Sequence, residues 1–270
     1  MQTPRLVATD VDGTLLNPQE RVSPRTMATV QRVTTAGTPF VLVTGRPPRW
    51  IPPVVSELGQ AGLAVCANGA VLYDAAADRV LHAVTLDPVL LHDVVGALDE
   101  ALPGCAVAVE RVGASAYERR NQQFLAEPGF EHAWPNPDHE AVPRAEVLGR
   151  PAVKLLVRHR GMTSEEMAQA AAAVLGDAVD ITYSTGSGLL ELSARGVTKA
   201  TGLELVAERF GVDRTDVVSF GDMPNDVPML RWAGHGVAMA NAHPEALAVA
   251  DEVTAPNDED GVALVLERWF

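Results

Sequence analysis

The apolar residues in the N-terminal part of the chain fall into three short runs, and each run stops at a polar residue. These runs are residues 6–9, 40–43 and 63–67. Between the first two, residues 23–36 have the spacing of a helix, with Ser23 as its cap, Pro24 in its first turn and Gly37 after its end. Strands that alternate with helices predict βαβ units and therefore a parallel β-sheet.

The pattern changes after about residue 86. Two helices are expected at 87–102 and 163–175, together with strands at 105–110, 153–158, 180–183 and 189–192. The first pattern returns with an amphipathic helix at 199–210, an apolar strand at 217–220, a short strand at 235–239 and a closing helix at 262–269. We therefore predict an α/β core with a parallel sheet, made of residues 1–84 and 189–270, and an inserted α+β domain at 85–188.

Composition narrows the class of protein. The chain has 270 residues, of which 47% are hydrophobic, and it contains no apolar stretch that could cross a bilayer and no signal-peptide pattern, so we expect a cytoplasmic globular protein. The net charge of -14 argues against nucleic acid or an anionic membrane as a partner, but it leaves a small phosphorylated substrate possible because a metal ion can reverse the local field. We expect a monomer or a small homo-oligomer. Cys66 and Cys105 lie in apolar runs and are expected to be buried thiols without a disulfide.

Two acidic residues follow the first predicted strand. Asp10 and Asp12 are one residue apart, and side chains that alternate along a strand would place both on one side, beyond the carboxyl end of the strand where open parallel sheets bind ligands. Two like charges at close range need a shared proton or a cation, and Mg2+ is the usual hard cation for oxygen ligands. The alternative is an ordinary turn, since Asp and Gly favour turns and Thr14 could cap the segment that follows.

Four sequence motifs at the ends of apolar segments share this placement. They are Asp10-Val-Asp12-Gly13-Thr14, Thr44-Gly45-Arg46, Gly196-Val197-Thr198-Lys199 and Gly221-Asp222-Met223-Pro224-Asn225-Asp226. In this order they resemble the haloacid dehalogenase-like hydrolase superfamily, and specifically its Cof-type branch of sugar-phosphate phosphatases, subclass IIB. Two further strings of that branch are similar to Asn68-Gly69-Ala70 and Met239-Ala240-Asn241-Ala242. Ala200 and Ala240 depart from the family, which often has Gly there.

The resemblance implies a fold and a set of roles. The fold would be a Rossmann-like core with the insert as a C2-type cap. Asp10 would be the nucleophile that becomes an aspartyl-phosphate, and Asp12 would protonate the leaving oxygen and then activate water. Thr44 and Lys199 would hold the phosphoryl group. Mg2+ would bind Asp10, the backbone carbonyl of Asp12 and Asp222, with support from Asn225 or Asp226. The expected substrate-binding residues are Gly13, Gly45, Arg46, Asn68 and Asn225.

Some residues keep a second interpretation. Arg46 could be a surface residue after a strand, and Lys199 a solvated lysine at a helix start, although a lysine there is unfavourable to the helix dipole. Five of the seven histidines lie in or beside the insert without the close spacing of a zinc pair: His82, His92, His132, His139 and His159. We expect them to have surface or substrate-facing roles. Trp134 is expected to fill the core of the insert rather than stack on a sugar.

The leading function is therefore a Mg2+-dependent phosphatase of small phosphorylated metabolites, with sugar phosphates as the expected substrates. A phosphosugar mutase on the same scaffold would return the phosphoryl group to a sugar instead of water. A phospho-accepting regulatory protein is a second alternative, but such modules lack a large insert and the second acid, Asp12. The sequence does not name the substrate, because the insert is expected to select it.

Overall fold

The computed structural model describes residues 2–59, 62–118, 122–133 and 139–270. Trp134 lies outside these ranges. The chain divides into two compact units, of which the first combines Met1–Leu81 with Thr198–Phe270 and the second is His82–Val197. In the described part of the chain no helix is long and apolar enough to span a membrane.

The described strands are, in chain order, β1 (Leu6–Thr9), β2 (Phe40–Val43), β3 (Leu63–Cys66), β4 (Val71–Asp74), β5 (Arg79–Ala83), β6 (Ala106–Glu110), β7 (Phe124–Ala126), β8 (Glu140–Ala141), β9 (Lys154–Arg158), β10 (Val179–Thr182), β11 (Leu189–Ala194), β12 (Val217–Gly221), β13 (His235–Ala238) and β14 (Glu252–Val253). The described α-helices are α1 (Pro24–Thr35), α2 (Ile51–Leu58), α3 (Pro88–Ala101), α4 (Arg144–Val147), α5 (Ser164–Leu175), α6 (Lys199–Phe210), α7 (Val227–Trp232), α8 (Pro244–Leu247) and α9 (Gly261–Leu266).

The first unit is built on an eight-stranded sheet with the order β14-β13-β12-β1-β2-β3-β4-β5. All pairs from β14 to β3 are parallel, and β4 runs antiparallel to β3. Every residue of the central strand β1 is buried, as expected for a strand that is covered on both faces. The predicted α/β class with a parallel-sheet core is confirmed.

Polar residues follow four neighbouring strands at one edge of this sheet. Asp10 follows β1, Thr44 follows β2, Asn68 follows β3 and Asp222 follows β12. Since β12, β1, β2 and β3 are parallel neighbours, these side chains gather at their carboxyl ends. The edge of the sheet therefore determines where the chemistry is located.

Helix capping fixes the start of two helices in this unit. Ser23 precedes α1 and its hydroxyl accepts from the backbone amide of Thr26, with Pro24 at the first position, as the sequence predicts. Thr198 caps α6 in the same way by accepting from the amide of Thr201. This cap makes Lys199 the first residue of α6.

The second unit has a six-stranded sheet with the order β10-β11-β9-β6-β7-β8. Strands β6, β9, β10 and β11 are antiparallel to one another where they pair. Apolar side chains of β6, β9 and β11 form one buried cluster with residues of α3 and α5. This is the α+β arrangement that the sequence predicts for the insert.

The predicted boundary of the insert at 188 is wrong. Strand β11, which the sequence interpretation assigns to the core, pairs with β9 and β10 in the second unit, and the first unit resumes only at Thr198. The physical reason is that a buried apolar run suits either sheet, and its sequence does not specify its pairing partners. The first boundary lies at Leu81 rather than at residue 84. Cys66 and Cys105 are both buried, as expected.

Candidate active site

Three buried carboxylates lie together beyond the ends of β1 and β12. Asp10, Asp222 and Asp226 each offer an oxygen, and these oxygens lie within 4.8 Å of one another. Within the described ranges this is the one group of three or more His, Cys, Asp or Glu side chains with metal-binding spacing. Like charges so close together require positive charge beside them.

Lys199 supplies part of that charge. Its side chain is fully buried, and its Nζ lies 2.6 Å from Oδ1 of Asp10 and 2.5 Å from Oδ1 of Asp226. Burial is the largest single influence on the pKa of Lys199 and lowers it. The contacts with Asp10 and Asp226 together outweigh burial, so the pKa is raised. The alternative of a solvated lysine is therefore wrong, because the ammonium group joins two elements of the site.

The carboxylates remain short of positive charge. Burial raises the pKa of Asp10 well above its ordinary value, and Lys199 only partly opposes this because the charges of Asp226 and Asp222 add to the effect of burial. Burial, with the charge of Asp226, raises the pKa of Asp222 to about 7, while a hydrogen bond from Thr14 lowers it. A cation beside these oxygens would favour their ionised forms.

Asp226 supports its neighbours with both of its oxygens. Oδ1 accepts from Lys199, and Oδ2 accepts from the backbone amides of Asp222 and Met223 at 3.0 and 2.9 Å. A Cβ on Gly221 would lie 2.5 Å from the Cβ of Asp226, so only glycine fits there. Asp226 therefore fixes the loop that carries Asp222.

Asn225 and Asn68 face each other from different loops. Nδ2 of Asn225 donates to Oδ1 of Asn68 over 3.1 Å, and both side chains are buried. Oδ1 of Asn225 is also buried and has no hydrogen-bond partner among the described residues. A buried amide oxygen without a donor is costly, so this atom has the chemistry of a cation ligand.

The loop after β1 is tied closely to Asp222. Gly13 has φ +77°, and a Cβ on it would lie 2.3 Å from Oδ2 of Asp222. Thr14 donates its hydroxyl to Oδ1 of Asp222 over 2.7 Å. The side-chain amide of Asn241 donates to the carbonyl of Gly13 over 2.9 Å. Gly13 therefore permits close approach of the loop to the cluster.

Thr14 and Asn241 are site residues that the sequence patterns did not predict. Both stand inside the motifs around Asp10 and Met239, and Asn241 follows β13 at the same edge of the sheet as the other loops. That placement was the available signal. Their partners, by contrast, are separated from them by more than two hundred residues.

Asp12 does not join the carboxylate cluster. Its side chain is 58% exposed, and its two oxygens accept from Nη2 and Nε of Arg46 at 2.5 and 2.8 Å. The expected cation between the carboxylates of Asp10 and Asp12 is therefore not supported by their spacing, although the charge of Asp12 contributes to the raised pKa of Asp10 and of Asp222. Strand β1 ends at Thr9, and the amides of Leu15 and Leu16 both bond to the carbonyl of Val11, so the chain turns and the alternation of a strand no longer applies.

Thr44, Gly45 and Arg46 form the turn after β2. Thr44 is fully buried, and its backbone amide donates to the carbonyl of Val65 while its carbonyl accepts from the amide of Asn68. Its hydroxyl oxygen accepts from the backbone amide of Arg46 over 3.1 Å. Gly45 lies between these two residues. The side chain of Arg46 is only 16% exposed, so it is not a freely solvated surface arginine.

Comparison with known proteins agrees with this architecture. The family model for haloacid dehalogenase-like hydrolases matches residues 7–266. The 5-amino-6-(5-phospho-D-ribitylamino)uracil phosphatase of Bacillus subtilis is 28% identical over 270 residues, with 99% of this chain and 98% of the relative covered. The pyridoxal phosphate phosphatase of Escherichia coli is 28% identical over 269 residues, with 97% of each covered. A solved haloacid dehalogenase-like hydrolase from B. subtilis is 23% identical, with a TM-score of 0.82 over 98% of this chain and 100% of that one.

Proposed function

The chain belongs to the haloacid dehalogenase-like hydrolases and is a phosphatase, and we propose that it hydrolyses small phosphorylated metabolites with Mg2+ through an aspartyl-phosphate on Asp10. The observation that carries this proposal is the contact of Lys199 with Asp10. A buried carboxylate beside a buried ammonium can approach an anionic phosphate ester, because the ammonium screens the repulsion. We also propose a cytoplasmic location, as the composition favours.

The donor set fits Mg2+. The oxygens would come from Asp10 and Asp222 and from Oδ1 of Asn225, which is buried without a partner among the described residues. The resemblance adds the backbone carbonyl of Asp12. Oxygen ligands are the ones that Mg2+ prefers. When bound, the ion would neutralise carboxylate and phosphate charge and polarise a phosphoryl oxygen. Asp226 would support these ligands without binding the ion itself, since both of its oxygens already accept hydrogen bonds.

Each step of the proposed reaction is assigned to particular residues of this chain. Asp10 attacks phosphorus, and the bond to the leaving oxygen breaks as Asp12 gives that oxygen a proton. In the second step Asp12 takes a proton from water, whose oxygen bonds to phosphorus and releases Asp10. Lys199 and the hydroxyl of Thr44 hold the phosphoryl oxygens throughout. Gly13 and Gly45 allow the backbone to approach them.

Asn68 and Asn225, both predicted to bind substrate, form a buried contact with each other. Asn68 accepts from the side-chain amide of Asn225, which leaves Oδ1 of Asn225 available to the ion. Asn68 has φ +58°, a left-handed conformation that Asn tolerates better than most residues. We propose that this pair orients the site rather than reading the leaving group.

The substrate class is a small phosphate monoester, and we propose a sugar phosphate. The names of the two relatives specify a phosphoribitylamino-uracil and pyridoxal phosphate, which are small phosphorylated metabolites of different chemistry. A panel of purified phosphate monoesters, with free phosphate as the readout, tests the proposal. Release of phosphate that stops in chelator and returns with Mg2+ supports it. An isomerised sugar phosphate without free phosphate would favour a mutase instead.

We propose that the second unit acts as a cap that selects the ester. The residues proposed above all belong to the first unit and are assigned to phosphate binding, metal binding or proton transfer. None of them is assigned to recognition of the leaving group. Replacing residues 82–197 by a short flexible linker should reduce hydrolysis of the preferred metabolite far more than hydrolysis of 4-nitrophenyl phosphate. An equal reduction in a folded core would contradict a role in selection.

A further inference from the structure

The pairing of Arg46 with Asp12 suggests a role for Arg46 beyond binding phosphate. Its guanidinium group meets both oxygens of Asp12, at 2.5 and 2.8 Å, in a two-pronged ion pair. The side chain of Asp12 is otherwise 58% exposed, so this pair is what holds it. An exposed carboxylate without such a partner would sample more than one rotamer.

We propose that Arg46 is a positioning residue for Asp12, holding its carboxylate beside the phosphate site and releasing it when a phosphate ester takes over the guanidinium group. The inference rests on the proposed function, because it assigns Asp12 as the acid and base. It adds a residue that acts through Asp12 and couples proton transfer to the arrival of substrate.

The hydrogen bonds explain why a release step is needed. Both oxygens of Asp12 accept from N–H groups of the same guanidinium, which fixes the direction in which the carboxylate points. Exchange of one of these bonds lets an oxygen of Asp12 turn toward the leaving oxygen of the ester. Arg46 therefore holds Asp12 in place until the bonds are exchanged.

The backbone of Arg46 places it where a phosphoryl group can make that exchange. Its amide donates to Oγ1 of Thr44 over 3.1 Å, and its carbonyl accepts from the amide of Ala67 over 3.0 Å. The base of the side chain is thus anchored to the threonine assigned to phosphate. A phosphoryl group offers the same paired oxygens as a carboxylate and more negative charge, so it competes for the guanidinium fork.

A double-mutant cycle tests the proposal with two esters. 4-Nitrophenyl phosphate has a leaving group that needs little protonation, whereas a simple alkyl phosphate needs the acid. The value of kcat/KM for both esters is measured for the wild type, Arg46→Gln, Arg46→Lys, Asp12→Asn and the double variant Asp12→Asn with Arg46→Gln. Arg25→Gln is the matched control, because Arg25 makes the same two-pronged pair with Glu267.

We expect Arg46→Gln to lower kcat/KM for the alkyl ester by about tenfold or more beyond its effect on the aryl ester, since positioned acid catalysis contributes roughly a hundredfold or more. In the Asp12→Asn background, Arg46→Gln should change both esters by one common factor. Arg46→Lys should keep the alkyl deficit, because an ammonium group cannot hold two oxygens in a fork. Arg25→Gln should leave both values unchanged.

Equal losses on both esters when Asp12 is intact would overturn the proposal, and so would full recovery of the alkyl rate by Arg46→Lys. These outcomes would leave Arg46 as a phosphate contact alone. A wild type that hydrolyses neither ester in the presence of Mg2+, while the panel of monoesters is also negative, would instead overturn the proposed function. Circular dichroism of each variant confirms that the comparison is made between folded proteins.

Discussion

Replacement of Lys199 by Met tests how the buried charges of the site hold one another. The side chain is fully buried, and its Nζ lies 2.6 Å from Asp10 and 2.5 Å from Asp226. Methionine has a similar length and can occupy the same space without a charge. The variant therefore leaves two buried carboxylates without their ammonium partner, while the packing of α6 is nearly retained.

The expected loss is large at neutral pH and smaller in acid. Removing one partner of a buried ion pair typically destabilises a protein by about 3–5 kcal/mol, because the remaining charge is uncompensated. The pKa of Asp10 is already raised by burial, and Lys199 is the group that lowers it, so the pKa of Asp10 rises further in the variant. An acid whose pKa is higher in the folded state binds protons more tightly when folded. Lowering the pH toward that pKa therefore restores stability, by up to about 1.4 kcal/mol for each unit of additional pKa rise.

Hydrogen exchange measured by mass spectrometry follows this loss separately in each unit. Amides of β1 and α6 in Lys199→Met should exchange faster than in the wild type at about pH 8, and the difference in opening free energy should shrink at about pH 6. Lys154→Met is the matched control, since Lys154 forms a buried pair with Glu191 at 2.5 Å in the second unit. Its largest effect should fall on β9 and β11.

Two outcomes would refute the reasoning. The first is a loss in opening free energy at β1 and α6 below about 1 kcal/mol at the higher pH, which would mean that the pair contributes little. The second is a deficit that grows as the pH falls, which would mean that the carboxylates do not relieve their charge by taking up protons. In either case the electrostatic account of the site would need another source of positive charge.

Three further predictions follow from the same geometry. Asp10→Asn should abolish hydrolysis of 4-nitrophenyl phosphate without changing the circular dichroism spectrum, and retention of more than a few per cent of activity would exclude Asp10 as the nucleophile. Gly13→Ala should remove Mg2+-dependent thermal stabilisation, because its Cβ would lie 2.3 Å from Asp222. The control Gly37→Ala, at a similar φ of +83° with nothing within 4 Å of the added Cβ, should keep that stabilisation. Equal behaviour of the two variants would contradict the close approach of Gly13 to Asp222. Because the pKa of Asp222 is raised to about 7, a cation that binds below that pH must displace the proton of Asp222. The affinity for Mg2+ measured by calorimetry should therefore fall as the pH drops through 7. An affinity independent of pH would be inconsistent with Asp222 as a ligand.

The sequence predicted the part of the site that the sheet itself determines. Asp10, Thr44 and Asp222 each follow a buried apolar run, and parallel strands bring such positions to one edge. Lys199 was predicted through the resemblance, and the structure adds the reason for its location, which is the cap at Thr198 that starts α6.

The parts that the sequence did not predict depend on long-range pairing. The assignment of β11 to the second sheet depends on its partners β9 and β10, which its own residues do not specify. Asp12 pairs with Arg46 and lies outside the carboxylate cluster, because the strand ends one residue before Asp10 and the chain then turns around Val11. The pairing of Asn225 with Asn68 joins loops that are 157 residues apart in sequence. In each case local patterns gave the residue types but not their contacts.

The covalent step on Asp10 is the central claim, and trapping it is the most direct test. The enzyme is mixed with 4-nitrophenyl phosphate and Mg2+, quenched in acid during turnover and reduced with borohydride, which converts an acyl phosphate to an alcohol. Peptide mass spectrometry should then find the reduced side chain at position 10 in the wild type, in larger amount in Asp12→Asn, and not in Asp10→Asn. Steady turnover with no reduced side chain at position 10, or with reduction at another carboxylate, would contradict the account.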